Sequence, residues 1–123
     1  MDMEQIAYQI IGSAIEVHRN LGPGLLESSY ERCLQWELHK MGFTVQRQLE
    51  LPIQYKTIQI ESGYRIDLLV ENSIIIELKS IEKILPIHEA QVLTYLKLSG
   101  KSLGLLLNFN VKMMKQGVKR LII

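Results

Sequence analysis

Apolar residues recur every three or four positions over residues 3 to 19, at Ile6, Ile10, Ala14 and Val17, with Ala7, Ile11 and Ile15 widening the stripe. That period is what an amphipathic helix needs to bury one face. Asn20-Leu21-Gly22-Pro23-Gly24 cannot continue a helix and reads as a tight loop. A second helix is predicted from about Leu26 to Met41, where Tyr30, Cys33, Leu34, Glu37 and Leu38 fall at steps of three or four, with Gly42 at its C-terminal end. From Thr44 the period drops to two. Val45, Arg47, Leu49 and Leu51 alternate with Gln46, Gln48 and Glu50, which predicts a long, partly exposed strand with Pro52 near an edge or a break in pairing. Thr57-Ile58-Gln59-Ile60 reads as its extension after a turn near Tyr55-Lys56, and Glu61-Ser62-Gly63 as another turn.

The next two runs, Tyr64 to Val70 and Ser73 to Ser80, read as central strands joined by a short hairpin at Glu71-Asn72. Ile74-Ile75-Ile76 predicts burial on both faces, yet that strand ends in Glu77 and Lys79. Side chains alternate along a strand, so Glu77 and Lys79 point one way while Ile76 and Leu78 point the other. A third helix starts at or near Pro86 and carries His88, Gln91, Tyr95 and Leu98 along one stripe, and Gly100 ends it. Ser102 to Phe109 is a further buried strand, and Val118 to Ile123 adds a last one. This order, α-α-β-β-β-α-β, predicts a mixed α/β (α+β) fold with helices packed on a mixed sheet.

At 123 residues and 47% hydrophobic, the chain suits one domain over residues 1 to 123. No apolar run approaches the roughly 20 residues of a membrane span, and the opening Met1-Asp2-Met3-Glu4 is no cationic, apolar leader, so a cytoplasmic protein is expected. The single cysteine, Cys33, excludes an internal disulfide and a cysteine metal cluster and is expected to be a small core residue. Net charge is only +1, but no acid follows Glu89, while Lys97, Lys101, Lys112, Lys115, Lys119 and Arg120 all lie in that tail. If those side chains share a face they would attract a polyanion; scattered and solvated, they would not.

Two carboxylates and a lysine at the ends of adjacent strands are the groups that metal-assisted phosphodiester hydrolysis uses. Asp67 and Glu77 offer the hard oxygen ligands that Mg²⁺ or Mn²⁺ prefers, and Lys79 could orient a water or balance developing charge. The bland alternative is a solvated strand end.

Asp67 followed by Glu77-Leu78-Lys79, set between apolar strands and preceded by an acid-bearing helix, resembles the PD-(D/E)XK nuclease superfamily. Gly24-Leu25-Leu26-Glu27-Ser28-Ser29-Tyr30 looks like the signature of its GxxExxY branch, and Gln91-Val92-Leu93-Thr94-Tyr95 is similar to the QxxxY element of RecB-like nucleases. The resemblance implies a restriction-endonuclease-like core and a nuclease acting on nucleic acid, with DNA ahead of RNA. Asp67 and Glu77 would then be metal ligands, the Leu78 carbonyl a further one, Lys79 the catalytic lysine, Glu27 an additional acid near the metal, and Gln91 and Tyr95 substrate-positioning residues. His18 would correspond to the upstream histidine that some RecB-like enzymes use as a ligand. Ile66 stands where the superfamily name has proline, which removes no ligand. Each residue has a plainer role open to it: Glu27 as an acid favoured by the helix dipole, Tyr30 as packing, His18 as a structural histidine. Two other readings stand beside the nuclease reading: a nucleic-acid- or protein-binding module that keeps the fold without useful turnover, and a homodimer whose paired sites cut both strands, hinted at only by the apolar stripe of the first helix.

Overall fold

The computed structural model describes all of residues 1–123. The chain forms α1 (Met3–Leu21), α2 (Glu27–Lys40), β1 (Val45–Glu50), β2 (Ile53–Tyr55), β3 (Ile58–Ile60), β4 (Arg65–Val70), β5 (Ile74–Lys79), α3 (Pro86–Ser99), β6 (Leu103–Asn108), a 3₁₀ turn at Met114–Gly117 and β7 (Val118–Ile122). Five strands make one sheet in the order β1-β4-β5-β6-β7. Only β5 and β6 run parallel, because α3 carries the chain back across the sheet between them; the other neighbours are antiparallel. This is the restriction-endonuclease-like arrangement expected from the sequence.

The triple isoleucine of β5 is divided between two cores. Ile74, Ile76 and Leu78 join Leu68, Val70, Leu105 and Leu107 beneath α1 and α2. Ile75 joins Ile66, Leu69 and Leu106 beneath α3, where Val92, Tyr95 and Leu96 close over them. The apolar stripe of α1, with Ile6, Ala7, Ile10, Ala14 and Val17, is buried in the first of these cores. The feature that raised the expectation of a homodimer is thus consumed inside the chain. Asp2 caps α1, accepting the Gln5 N–H at 2.8 Å while the Gln5 side chain accepts its own at 2.8 Å. No helix is long and apolar enough to cross a membrane.

Two expectations are corrected. Thr57 to Ile60 does not extend β1: β3 pairs with β2 in a separate two-stranded hairpin that turns at Lys56, whose φ is 52°. Nor does β1 keep one alternation. Val45 packs under α1 and α2, whereas Leu49 and Leu51 pack on the α3 side. The switch falls at Gln48, whose φ of 54° breaks the pleat. The basic tail is also divided: Lys119 pairs with Glu89 of α3 at 3.6 Å and Arg120 with Glu4 of α1 at 2.7 Å. Alternation along β7 sends these two cations to opposite faces of the sheet, so the tail does not form one basic face.

Cys33 is half-buried and packs against the first core. Tyr30 is fully buried, its ring stacked on Phe109 with centroids 4.5 Å apart. Its hydroxyl donates to the Gly22 carbonyl at 2.6 Å and accepts the Leu25 N–H at 3.1 Å, which latches the α1–α2 loop and sets where α2 begins.

The close approach of α3 to the sheet depends on Gly104 in β6, where an added Cβ would stand 2.7 Å from Val92 Cγ1. Gly104→Ala is expected to lower stability by about 1–3 kcal/mol through overpacking. Thermal and urea melts of the two proteins measure it.

Candidate active site

β4 and β5 pair regularly from Val70↔Ile74 to Leu68↔Ile76, and there the ladder ends. Beyond that point the two acids take over the backbone groups that the missing rungs would have paired. The Asp67 N–H donates to Glu77 Oε1 at 3.1 Å, and the Leu78 N–H donates to Asp67 Oδ2 at 2.9 Å. The carboxylates therefore cap a fork between the strands, and the fork in turn fixes the carboxylates. Because N–H and C=O of one strand residue point the same way, the Leu78 carbonyl is turned toward β4 as well.

Glu77 is only 5% exposed. Burial first, and the neighbouring charge of Asp67 second, push its carboxyl up to about 8, against the opposing pull of the Asp67 N–H and Lys79. Asp67 is raised by burial, while the Leu78 N–H and the Gln48 amide hold it down, Glu27 pushes it up and Lys79 pulls it down. Lys79 thus makes itself felt at both acids, yet no side-chain cation lies within 4.0 Å of either carboxylate. A buried and a half-buried carboxylate side by side without an ion-pair partner are a costly arrangement in a metal-free chain. A hard divalent cation would relieve that cost, and the all-oxygen donor set fits one.

Glu27 lies at the first turn of α2, exposed, with Oε2 accepting the Ser80 N–H at 3.3 Å; Ser80 Oγ donates to the Leu25 carbonyl at 2.6 Å. These bonds tie the start of α2 to the end of β5 and bring the charge of Glu27 near Asp67. They do not make it part of the pair, for no three acidic, histidine or cysteine side chains converge as a ready ligand set. His18 is held elsewhere: buried on α1, its Nε2 is 2.7 Å from the Val111 carbonyl oxygen. It is the one candidate that no hydrogen bond or charge effect connects to the acids.

α3 presents the remaining two candidates. Gln91 Nε2 donates to the Tyr95 hydroxyl at 3.1 Å, which leaves the phenol's own proton free for another acceptor. Burial raises the Tyr95 pKa, and Glu77 and Asp67 raise it further, so the phenol stays protonated beside the acids. At the N-terminus of the same helix, His88 Nδ1 accepts the Leu85 N–H at 2.9 Å.

Three residues of the site lay outside the sequence reading. Glu31, one turn after Glu27, is buried, and its carboxyl is raised by burial and by Asp67. Gln48 Nε2 bridges Glu31 Oε2 at 2.9 Å and Asp67 Oδ1 at 3.2 Å, while Arg47 Nη1 reaches Glu31 Oε1 at 3.3 Å. The four-residue step from Glu27 to Glu31 was a signal that both acids share a helix face. Nothing in the period-two pattern of β1 announced the turned backbone of Gln48. Asn108 is a third such residue, buried and bonded through its amide to both backbone groups of Ile81, which pins the chain just after Lys79.

A family model described as the PD-(D/E)XK nuclease superfamily matches residues 4–121. No curated protein and no solved structure gives a significant match.

The raised carboxyl of Glu77 sets a pH dependence. In the unfolded chain it titrates near 4.5 and in the folded chain near 8, so the folded state holds the extra proton between those values. Stability of the metal-free protein is therefore expected to fall as pH rises from 4.5 to 8, by a few kcal/mol at most. Glu77→Gln should flatten that fall and melt higher than the parent at alkaline pH; melts across the range measure it. A second expectation concerns the bridge: Gln48→Ala leaves Glu31 and Asp67 facing each other unbridged and is expected to weaken Mn²⁺ binding roughly 10- to 100-fold, read by calorimetry.

Proposed function

The chain belongs to the PD-(D/E)XK nuclease superfamily, and from that membership we propose that it is a metal-dependent nuclease of the GxxExxY branch, cutting phosphodiester bonds of DNA ahead of RNA with Mg²⁺ or Mn²⁺. The observation that carries the reading is the pairing of half-buried Asp67 with buried Glu77 at the β4–β5 fork, under the influence of Lys79 but ion-paired with nothing. Asp67 and Glu77 would hold the cation, with the Leu78 carbonyl on the same side and water and phosphate oxygens completing the shell, as Mg²⁺ habitually requires. When bound, the cation supplies a water of lowered pKa and neutralises charge on the attacked phosphate.

The other roles belong to side chains. Lys79, at the end of β5 and pointing to the same face as Glu77, orients the attacking water and offsets the charge that builds on the phosphate. Glu27 holds the end of β5 through Ser80 and adds negative charge that favours a cation at Asp67. Tyr95, kept protonated, donates to a phosphate oxygen, and Gln91 holds its hydroxyl in place. Glu31 and Gln48 position Asp67 rather than touch substrate. His18 remains the weakest member of the ligand set, being engaged with Val111.

Binding without useful turnover is supported by one observation, that only two acids converge while Glu27 is occupied by Ser80. The two readings part in one assay. Purified protein incubated with single- and double-stranded DNA and RNA is expected to cut in Mg²⁺ or Mn²⁺ and to stop in EDTA, and Lys79→Ala is expected to lower the rate roughly 100- to 1,000-fold. Cutting that survives unchanged in Lys79→Ala belongs to a contaminant and defeats the nuclease reading. Salt-sensitive binding with no metal-dependent cutting establishes the alternative.

A further inference from the structure

A groove of about 550 Å³ lies between α3 and the β2–β3 hairpin and shares Gln91 and Tyr95 with the carboxylate site. Its walls are Ile53 of β2 and Ile87 of α3, the latter 69% exposed. Its aromatic element is Tyr64, 50% exposed, whose ring lies 6.3 Å from that of Tyr95 at an interplanar angle of 52°. Thr94 and Gln91 supply hydrogen-bonding groups. No acid lines the groove, although Glu77 and Asp67 bear on Tyr95 from the far side.

A flat, uncharged ligand with polar edges suits such a slot, and nucleic acid offers one in its bases. We propose that this groove seats an unpaired nucleobase of the strand whose phosphate lies at Asp67 and Glu77, stacked on Tyr64, so that the substrate is single-stranded or has an unpaired end. The inference rests on the nuclease reading above for the position of the phosphate. Within a duplex the base faces are already stacked and the polar edges paired, so only a base free of its partner can enter. The ring of Tyr64 offers the stacking surface that single-strand binders use, and stacking tolerates every base because each has a π-face. Continuity with the carboxylate site favours a nucleotide over a peptide: a strand whose phosphate reaches Glu77 must pass Tyr95, and the adjoining base then has the groove beside it.

The test compares a fluorescent single-stranded oligothymidine with a blunt duplex of equal length, by anisotropy, in the Glu77→Gln background so that no strand is cut. The single strand is expected to bind more tightly. Tyr64→Ala is expected to weaken single-strand binding roughly 10- to 100-fold and to leave duplex binding unchanged, whereas Tyr64→Phe keeps the ring and the affinity. Because Tyr64 is half exposed, melts of both variants should match the parent, which separates lost stacking from lost fold. Equal binding of strand and duplex, binding of neither, or indifference to Tyr64→Ala overturns the proposal. Tyr64-dependent, strand-selective binding by a protein whose unmutated form never cuts in Mn²⁺ would support the groove while defeating the nuclease reading.

Discussion

The molecule is organised around two acidic side chains that the fold forces together where charge is poorly solvated. Asp67 and Glu77 each accept a backbone N–H across the end of the β4–β5 ladder, and those two bonds hold in register a fork that would otherwise leave buried donors unpaired. The same bonds bring two negative groups into one poorly solvated place. The backbone N–H bonds favour the charged form of each acid; burial opposes it at both, joined at Glu77 by the charge of Asp67 and at Asp67 by that of Glu27, and at Glu77 burial wins, lifting its carboxyl to about 8. The neighbouring elements temper the conflict without cancelling it. Lys79 lowers both acids from a distance, Gln48 binds one oxygen of Asp67, and Glu27 and Glu31 add to the negative field.

The helices serve this site by different means. α2 is placed by the Tyr30 latch on the preceding loop, and Ser80 then joins its first turn to the end of β5. α3 is placed by packing, since Val92 and Leu96 settle over Gly104 and leave Gln91 and Tyr95 at the acids' edge. α1 is placed by its apolar stripe and contributes burial rather than chemistry, which is why His18 ends beside Val111.

Much of this was legible in the residues. The three helices, the central hairpin, the mixed sheet and the shared face of Glu77 and Lys79 follow from periods of 3.6 and two, and the structure carries them all. What escaped was local and non-periodic. A left-handed Gln48 can be inferred from no alternation, because glutamine has no special liking for positive φ; tertiary bonds to Glu31 and Asp67 accompany it there. The separate β2–β3 hairpin was missed for a related reason: the turn near Tyr55-Lys56 is legible, but the two-residue alternation of Ile58 and Ile60 does not say that they pair with β2 rather than prolong β1. The tail's cations read as a cluster in sequence, but a strand's two-residue repeat sends Lys119 and Arg120 to opposite faces.

The hairpin that carries both acids has a consequence for how the chain acquires its shape. Asp67 and Glu77 are ten residues apart, joined through a turn at Glu71 and Asn72 whose φ values of 53° and 52° suit the twist of a tight hairpin. Contacts that close so short a segment carry a small loop-closure entropy, whereas β5 can meet β6 only after α3 has been laid down between them. The electrostatically costly part of the protein is therefore the cheapest to close, and the pairing of β5 with β6 spans the longer loop. In a chain whose hairpin closes first, the acids meet while still open to water, and the cost of desolvating them falls on the pairing that completes the sheet.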